Sequence, residues 1–471
     1  MKKNDLFELT IEDMSQAGEG IGHAEGLTVF VKDTAPGDRI RARLIKEKKN
    51  LAYGRLEEVL EPSPDRVEPV CGKARSCGGC TMQHISYEKQ LELKASHVEN
   101  CLRRIGGLEH AGELMEPIIG MEQPFAFRNK MQFPVGKDRD GNVAMGFYAG
   151  RTHSLIPLTD CPVGHPVNRE ILRAVQEYIR EASVPVYDEE KHAGLVRHVL
   201  TRVGFGTGQV MVCLVVNGEK LPKEELLVEK LGAAVDGWQD TAGDGKNLQL
   251  ASVCININTD KTNRILGFRS RVISGAPVIE DTIGDIRFEI APESFFQVNP
   301  VQTEKLYGKA LEYAGLTGEE TVWDMYCGIG TISLFLAQKA KKVFGVEIVP
   351  QAIENAKRNA ELNGFPNAEF FVGKAEEIVP KLYAEDPEKY RADVVVVDPP
   401  RKGCDRELLQ TLISMAPKRL VYVSCDPATL ARDIAILTEG GFRVMRVTPT
   451  DMFPHSSHVE TVVQLIARNA K

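Results

Sequence analysis

Cys425 is the residue of this sequence whose setting best suits nucleophilic chemistry. It follows a hydrophobic run in the segment Tyr422-Val-Ser-Cys425-Asp-Pro, and an earlier hydrophobic run ends in Asp398, which opens an Asp-Pro-Pro turn. Residues that end neighbouring parallel strands meet at one edge of a sheet, so we expect this thiol and this carboxylate to share a site. A thiolate there could add to an electrophilic carbon of a bound base. The alternative is that Cys425 is a small buried apolar residue, like most cysteines at strand ends.

A glycine-rich turn earlier in the chain has the form of a site for a nucleoside cofactor. The segment from Val322 to Thr331 reads as a strand, a turn with two glycines and a helix start. The next predicted strand ends in Glu347, a position from which a carboxylate can accept hydrogen bonds from ribose hydroxyls. A dinucleotide site would have a third glycine where Ser333 stands, and Asp324 would repel a pyrophosphate. A positively charged sulfonium cofactor fits better than a dinucleotide or a turn without ligand, which favours methyl transfer from S-adenosylmethionine.

Methyl transfer to carbon 5 of a pyrimidine needs both a nucleophile and a base. Carbon 5 becomes nucleophilic only after a thiolate has added at carbon 6, and Cys425 is the candidate for that addition. Glu460, at the start of the last predicted strand, is the candidate base for the carbon 5 proton. Cys327 and Cys404 lack the turn that would expose a thiol, so we expect them to be packing residues. Arg401 follows the Asp-Pro-Pro turn, where amino-group methylases place an aromatic residue and cytosine-C5 enzymes a second cysteine, so uracil is the base that remains.

The composition is that of a soluble globular protein with several domains. The 471 residues are enough for about three domains and include no apolar run that could span a membrane. The net charge of −8 argues against a protein that coats nucleic acid with its whole surface. The first residues lack the apolar stretch of a signal peptide, so the cytoplasm is the expected compartment and disulfides are not expected among the ten cysteines.

Three regions with different patterns follow one another along the chain, which predicts a multidomain α/β protein. Residues 1–62 contain short strands between closely spaced glycines, which predicts a small closed β-barrel. Residues 63–280 combine a cysteine-rich segment, a helix over 86–105 and alternating segments that predict an antiparallel sheet. Residues 281–471 alternate strands with helices, which predicts a doubly wound parallel sheet with its ligand at the carboxyl ends of the strands.

Four cysteines have a spacing typical of a metal centre. Cys71, Cys77 and Cys80 supply three thiols within ten residues, and Cys161 is the candidate fourth ligand because a proline follows it. An iron–sulfur cluster and a tetrahedral zinc site both use four thiolates, and the spacing alone leaves both open. A redox pair formed by Cys77 and Cys80 is the weaker third alternative.

A basic stripe in the predicted barrel is the clearest candidate for contact with nucleic acid. Residues 39–55 contain seven basic residues and one acidic residue. Such a stripe could neutralise phosphates, or it could be the solvated face of a strand. Both interpretations remain open at the level of sequence.

Together these motifs resemble those of the RNA uracil-C5 methyltransferases, in particular the bacterial type that acts on 23S ribosomal RNA. The resemblance depends on the Ser-Cys-Asp-Pro segment at Cys425, on the His-Val-Glu-Thr-Val segment at Glu460 and on the four cysteines, and it covers essentially the whole chain. It implies an OB-like TRAM barrel, a central α+β iron–sulfur domain and a Rossmann-like methyltransferase domain. The resemblance also implies that the segment of about residues 86–118 could pack on the catalytic domain.

The resemblance also implies roles for individual residues. It makes Cys425 the nucleophile and Glu460 the base, and it places Phe127–Lys130 in a segment that contacts RNA. The implied cofactor residues are Gln297, Tyr326, Glu347 and Asp398, and the implied ligands of a [4Fe–4S] cluster are Cys71, Cys77, Cys80 and Cys161.

The activity implied by the resemblance is methylation of one or more specific uridines in 23S ribosomal RNA through a covalent bond between the cysteine and carbon 6. The enzyme would act as a cytoplasmic monomer on RNA that is free or partly assembled, without a membrane. Methylation of a transfer RNA uridine is the enzymatic alternative. A noncatalytic RNA-binding protein with a decayed methyltransferase fold is the alternative from another class.

Overall fold

The computed structural model describes residues 2–150, 152–238 and 247–468. These residues contain 21 strands and ten helices. The strands form a closed barrel, two seven-stranded sheets and a two-stranded sheet. In this part of the chain, no helix combines the length and the apolar character needed to cross a membrane.

The first five strands close into the predicted barrel, in the order β1-β2-β3-β5-β4. Their bounds are Leu6–Met14 (β1), Gly20–Ala24 (β2), Leu27–Val31 (β3), Arg39–Glu47 (β4) and Leu51–Glu61 (β5). The strand β2 contains two of the closely spaced glycines of this region. Gly22 is needed there because a Cβ at this position would lie 2.3 Å from the carbonyl oxygen of Thr10 on the adjacent strand.

Two helices follow the cysteine-rich segment, α1 (Tyr87–Arg104) and the short α2 (Ala111–Leu114). Both pack on the C-terminal part of the chain, since Val98, Leu102 and Ala111 share a hydrophobic cluster with residues of its sheet and helices. Lys94 of α1 reaches the same region and forms a buried ion pair with Asp451, with 2.5 Å between Nζ and Oδ1. The chain after the cysteines is therefore anchored to the C-terminal sheet.

The central sheet has the order β12-β11-β10-β9-β6-β7-β8, with two helices packed against it. Its elements are β6 (Lys130–Lys137), β7 (Val143–Tyr148), β8 (Leu155–Pro157), α3 (Asn168–Glu181), β9 (Val196–Val203), β10 (Gln209–Val216), α4 (Glu224–Asp236), β11 (Gln249–Ile257) and β12 (Arg269–Gly275). The prediction of an antiparallel sheet is wrong for one pair, because β10 and β11 run parallel. The helix α4 provides the crossover connection that a parallel pair requires.

The C-terminal sheet has the order β17-β16-β15-β18-β19-β21-β20 and follows a two-stranded sheet of β13 and β14. The elements are β13 (Ile279–Ile283), β14 (Ile286–Ile290), α5 (Pro300–Ala314), β15 (Thr321–Met325), α6 (Thr331–Ala337), β16 (Lys342–Glu347), α7 (Pro350–Leu362), β17 (Ala368–Val372), α8 (Ala375–Glu385), β18 (Val394–Val397), α9 (Arg406–Met415), β19 (Arg419–Ser424), α10 (Pro427–Glu439), β20 (Phe442–Thr450) and β21 (Glu460–Ala467). The strands β15 to β19 are parallel, as predicted, and β21 pairs antiparallel with β19 and β20. The strand order reverses between β15 and β18, and ligands of doubly wound folds bind at such a switch point.

Candidate active site

A cleft of about 1670 Å³ opens at the switch point, beside the carboxyl ends of β15, β16, β18 and β19. The six predicted catalytic and cofactor residues all line it: Gln297, Tyr326, Glu347, Asp398, Cys425 and Glu460. They come from six separate segments of the chain, so the fold brings together side chains that the sequence places far apart.

Cys425 and Glu460 are neighbours because β21 runs against the direction of the parallel strands. Ser424, the last residue of β19, lies opposite Thr461 of β21. The next position outward along each strand is Cys425 on one side and Glu460 on the other. An antiparallel strand thus delivers its first residue to the edge of the sheet at which the parallel strands end.

Burial in this cleft makes negative charge unfavourable on three groups. It raises the pKa of Glu460 to about 8, with a further contribution from Asp398 and an opposing one from Arg401. It raises the pKa of the Cys425 thiol to about 12, with contributions from both carboxylates, and the pKa of Asp398 to about 7, with a contribution from Asp324. A cation bound in the cleft would lower all three pKa values, because it would stabilise the ionised forms.

The glycine-rich turn between β15 and α6 has the backbone conformation expected of a cofactor turn. Gly328 and Gly330 have φ angles of 56° and 85°, and Tyr326 has a φ of 73°, which is uncommon for a residue with a side chain. Glu347 ties the turn to the end of β16, since its carboxylate accepts hydrogen bonds from the backbone N–H groups of Gly328 (3.3 Å) and Val349 (3.0 Å). The carboxylate and the turn are therefore held beside each other at the cleft.

Asp324, whose charge argued against a pyrophosphate at the level of sequence, is a further candidate cofactor residue beside the four that the resemblance implies. It is fully buried at the end of β15, and one of its carboxylate oxygens accepts a hydrogen bond from Ser333 Oγ. The other oxygen, Oδ1, has no hydrogen-bond partner within the described residues. Asp324 lines the cleft, so a ligand bound there could donate to this oxygen. Burial raises the pKa of Asp324 to about 7, and the nearby Glu347 adds to this effect. An unpartnered buried carboxylate oxygen fits a ligand with positive charge or N–H donors, and S-adenosylmethionine has both.

Gln297 belongs to the loop that joins β14 to α5. Its backbone carbonyl accepts a hydrogen bond from Asn129 Nδ2 at 3.0 Å, which fixes the loop to the central domain. Arg128, the residue before Asn129, lines the same cleft. Burial lowers the pKa of Arg128, whereas the thiols of Cys161 and Cys80 oppose this shift, so its side chain lies between the cleft and the cysteines.

The four predicted cluster cysteines come from two segments that the fold brings together. Burial raises the pKa of Cys80 to about 11, and the nearby thiols of Cys161, Cys77 and Cys71 add to this shift. All four are free of disulfides. Across residues 2–150, 152–238 and 247–468, no group of three or more His, Cys, Asp or Glu side chains is arranged to hold a metal ion.

The basic stripe of the barrel is matched by acidic residues on neighbouring strands. Three of its arginines form ion pairs on the barrel surface: Arg39 with Glu61 at 2.6 Å, Arg41 with Glu58 at 2.7 Å and Arg43 with Glu57 at 2.8 Å. A charge that is already paired attracts a phosphate less strongly, which favours the interpretation of this stripe as a solvated strand face.

Comparisons with known proteins agree with this site. Residues 231–468 match the family described as tRNA (Uracil-5-)-methyltransferase, and residues 2–56 match the TRAM domain. An uncharacterized RNA methyltransferase of Halalkalibacterium halodurans is 48% identical over 100% of this chain and 98% of its own length. An uncharacterized RNA methyltransferase of Clostridium acetobutylicum is 48% identical over 98% of this chain and 97% of its own length.

A solved structure extends the comparison to the bound cofactor. The Pyrococcus abyssi tRNA (uracil-54, C5)-methyltransferase, in complex with S-adenosyl-L-homocysteine, is 29% identical to this chain. It superposes with a TM-score of 0.76 over 98% of this chain and 100% of its own. The chain therefore belongs to the tRNA (uracil-5-)-methyltransferase family and is an RNA uracil-C5 methyltransferase that uses S-adenosylmethionine.

Proposed function

We propose that this enzyme methylates carbon 5 of specific uridines in 23S ribosomal RNA and that Cys425 holds each uridine through a covalent bond to carbon 6. Cys425, Glu460 and Asp398 lie at the ends of adjacent strands in one cleft, and this placement supports the covalent mechanism. S-adenosylmethionine supplies the electrophilic methyl group. Cys425 would act as the thiolate, and the nearby Arg401 already opposes the rise in the pKa of its thiol.

The proposed reaction begins with a covalent bond between Cys425 and the uridine and ends with the release of that bond. The Cys425 thiolate forms a bond to carbon 6, and the electron pair of the ring double bond moves onto the carbonyl oxygen at carbon 4 as an enolate. Carbon 5 then takes the methyl group, while the electrons of the broken methyl–sulfur bond stay on sulfur. Glu460 removes the carbon 5 proton, the electrons of that bond restore the ring double bond, and the thiolate leaves.

Glu460 has the properties that this last proton transfer requires. It is the first residue of a central strand and only 5% exposed, so its carboxylate is fixed in position and shielded from water. A general base works best when its pKa lies near the working pH, and burial brings the pKa of Glu460 from 4.5 to about 8. Asp398 is the next carboxylate to consider, because it also faces the thiol.

The four cysteines support ribosomal RNA as the substrate, by resemblance to the ribosomal type of the family, and we propose that they bind a [4Fe–4S] cluster. Cys71, Cys77, Cys80 and Cys161 would hold it. The methylation involves no oxidation or reduction, so this cluster would be structural or would position the RNA. Transfer RNA is the second candidate substrate, because the Pyrococcus abyssi enzyme that acts on it aligns over its whole length with this chain. We propose that the enzyme is a cytoplasmic monomer and that it acts on 23S ribosomal RNA that is free or partly assembled.

Mass spectrometric mapping of 5-methyluridine separates the two substrates. RNA from cells with and without this protein would be compared for both ribosomal and transfer RNA. We expect at least one 23S uridine to lose its methyl group in the cells that lack the protein. Loss confined to transfer RNA would refute the ribosomal substrate and leave the chemistry intact.

The covalent mechanism is tested by the species that accumulates in two variants. Glu460→Gln keeps the shape of the side chain but cannot readily take the proton, so we expect a protein–RNA adduct that survives a denaturing gel and requires S-adenosylmethionine. Cys425→Ala should form no adduct and no product, since carbon 5 never becomes nucleophilic. Cys404→Ala serves as the control, because this cysteine is buried and does not line the cleft, so turnover should stay intact. Normal turnover by Glu460→Gln would show that another group is the base.

A further inference from the structure

The loop between β11 and β12 presents an exposed aromatic side chain at the mouth of the cleft. Phe268 lines the cleft and is 88% exposed, more than any other large hydrophobic residue in the part of the chain that the structure describes. The guanidinium carbon of Arg264 lies 3.7 Å from the centre of the Phe268 ring. One face of the ring is therefore covered by a cation, and the other remains open to solvent.

This exposure is not a consequence of a loose loop. Two buried asparagines of β11 and its extension, Asn256 and Asn258, hold the loop backbone from beneath. Asn256 Oδ1 accepts a hydrogen bond from Gly267 N–H at 2.6 Å, and Asn258 Nδ2 donates to the carbonyl oxygen of Arg264 at 2.7 Å. A Cβ at Gly267 would lie 1.7 Å from the carbonyl oxygen of Ile257, so the backbone packs too closely there for any side chain.

The loop is also connected to the segment that carries Gln297. Asn256 Nδ2 donates to Glu293 Oε1 at 3.0 Å, and the Ser270 hydroxyl donates to the same oxygen. Glu293 is the first residue of the segment Glu293–Gln297, which also contains Phe295. Phe295 is a second exposed aromatic residue, 74% exposed, and it lines the cleft. Both aromatic side chains thus belong to one rim with fixed positions relative to the cofactor segment.

Basic side chains outnumber acidic ones at the exposed rim of the cleft, where Glu293 and Asp405 are the exposed acidic lining residues. The floor contains the carboxylates of Asp324, Asp398 and Glu460. The exposed basic side chains that line the cleft lie around its mouth: Arg264, Arg269, Arg358, Lys374, Arg401 and Lys402. Four of these cations already pair with carboxylates, namely Arg264 with Asp260, Arg269 with Glu219, Lys374 with Glu377 and Lys402 with Asp405. The attraction of this rim for a polyanion therefore comes mainly from Arg358 and Arg401, and a nucleic acid is the partner that fits the outside of this site.

We propose that Phe268, with Arg264 behind it, is a stacking platform for an unpaired base of the RNA adjacent to the uridine that is methylated. The identity of this partner rests on the proposed RNA substrate. Carbons 5 and 6 of a uridine are reached only when that base leaves its stack, which leaves neighbouring bases unstacked as well. The open face of the Phe268 ring replaces one such stacking contact, and the guanidinium on the opposite face fixes the ring in position.

The test is the binding of a fluorescein-labelled uridine dodecamer, compared with the same sugar–phosphate chain lacking bases. Stacking on an aromatic side chain contributes about 1–3 kcal/mol per base, so Phe268→Ala should raise the dissociation constant of the dodecamer about 5- to 150-fold. Binding of the abasic chain should stay unchanged, because the phosphate contacts remain. Phe268→Trp should restore the affinity, and S-adenosylhomocysteine should bind all variants equally.

Tyr383→Ala is the matched control, because Tyr383 is an exposed aromatic residue that does not line the cleft. It should leave dodecamer binding unchanged. Equal binding by Phe268→Ala and the unaltered enzyme, equal loss with the abasic chain, or the same loss in Tyr383→Ala would each overturn the platform. The proposed ribosomal substrate fails by a different result, namely unchanged 5-methyluridine in 23S ribosomal RNA of cells without the protein.

Discussion

Replacing Glu460 with glutamine should stabilise the folded protein at neutral and alkaline pH while it impairs catalysis. Burial raises the pKa of Glu460 above the value of 4.5 that the group has in an unfolded chain. Between the two pKa values, the folded state therefore holds a proton that the unfolded state has released. Stability falls as the pH rises through this window, because ionisation then favours unfolding. Glutamine cannot ionise, so the variant lacks this loss.

The size of the effect follows from the pKa of about 8. Each pKa unit corresponds to about 1.4 kcal/mol, so the penalty on the folded state is about 3 kcal/mol at pH 7 and below about 1 kcal/mol at pH 5. The carboxamide adds a packing cost or gain of its own, but that contribution is the same at both pH values. The difference between the two pH values therefore isolates the ionisation of Glu460.

Denaturant unfolding of the parent and of Glu460→Gln at pH 5 and pH 7 measures this difference. The variant should gain about 2 kcal/mol relative to the parent between these pH values. Glu361→Gln, which replaces an exposed glutamate in the same domain, should show no such gain. A stability difference between Glu460→Gln and the parent that is equal at pH 5 and pH 7 would refute the raised pKa, and with it the argument that burial prepares this carboxylate to act as a base.

Three further predictions concern the rest of the chain. Protein purified without oxygen should be brown and contain iron, and Cys80→Ala should lose the iron; zinc in stoichiometric amount without iron would contradict this. Lys94→Met should destabilise the protein by about 3–5 kcal/mol in an unfolding assay, because it leaves the buried Asp451 without its cation. Lys89→Met removes a half-buried lysine of the same helix that pairs with the exposed Glu92, and it should cost below about 1 kcal/mol in the same assay. Arg41→Gln should change the salt dependence of RNA binding very little, since glutamates already pair with this arginine, whereas Arg401→Gln should lower the log–log slope by about one.

The sequence predicted most elements of the fold because their hydrophobic periodicity is strong. The predicted helix over 86–105 begins and ends within one residue of α1, and strands alternate with helices over residues 281–471 as predicted. Two features of the fold could not be predicted from hydrophobic periodicity. Strand β2 has too few apolar residues to show alternation, and alternation carries no information on whether neighbouring strands such as β10 and β11 run parallel.

The sequence predicted those residues of the site that lie directly after a parallel strand. Asp398 and Cys425 follow parallel strands, so their meeting at one edge follows from the fold class alone. The position of Glu460 beside Cys425 depends on the reversed direction of β21, which no local pattern of residues indicates. The packing roles predicted for Cys327 and Cys404 agree with the structure, where both lie in hydrophobic clusters and are 4% and 5% exposed.

The contact between the cysteine segment and the loop before Glu460 is the part of the site that sequence reasoning had least chance of finding. His455 adopts a φ of 65°, and its carbonyl oxygen accepts hydrogen bonds from the backbone N–H groups of both Thr81 and Met82 at 2.9 Å. Its own N–H donates to Gln90 of α1. Because Thr81 directly follows Cys80, the segment that carries three of the four thiols also fixes the loop that leads into Glu460. Order in the cysteine segment is therefore coupled, through these backbone hydrogen bonds, to the loop that precedes Glu460.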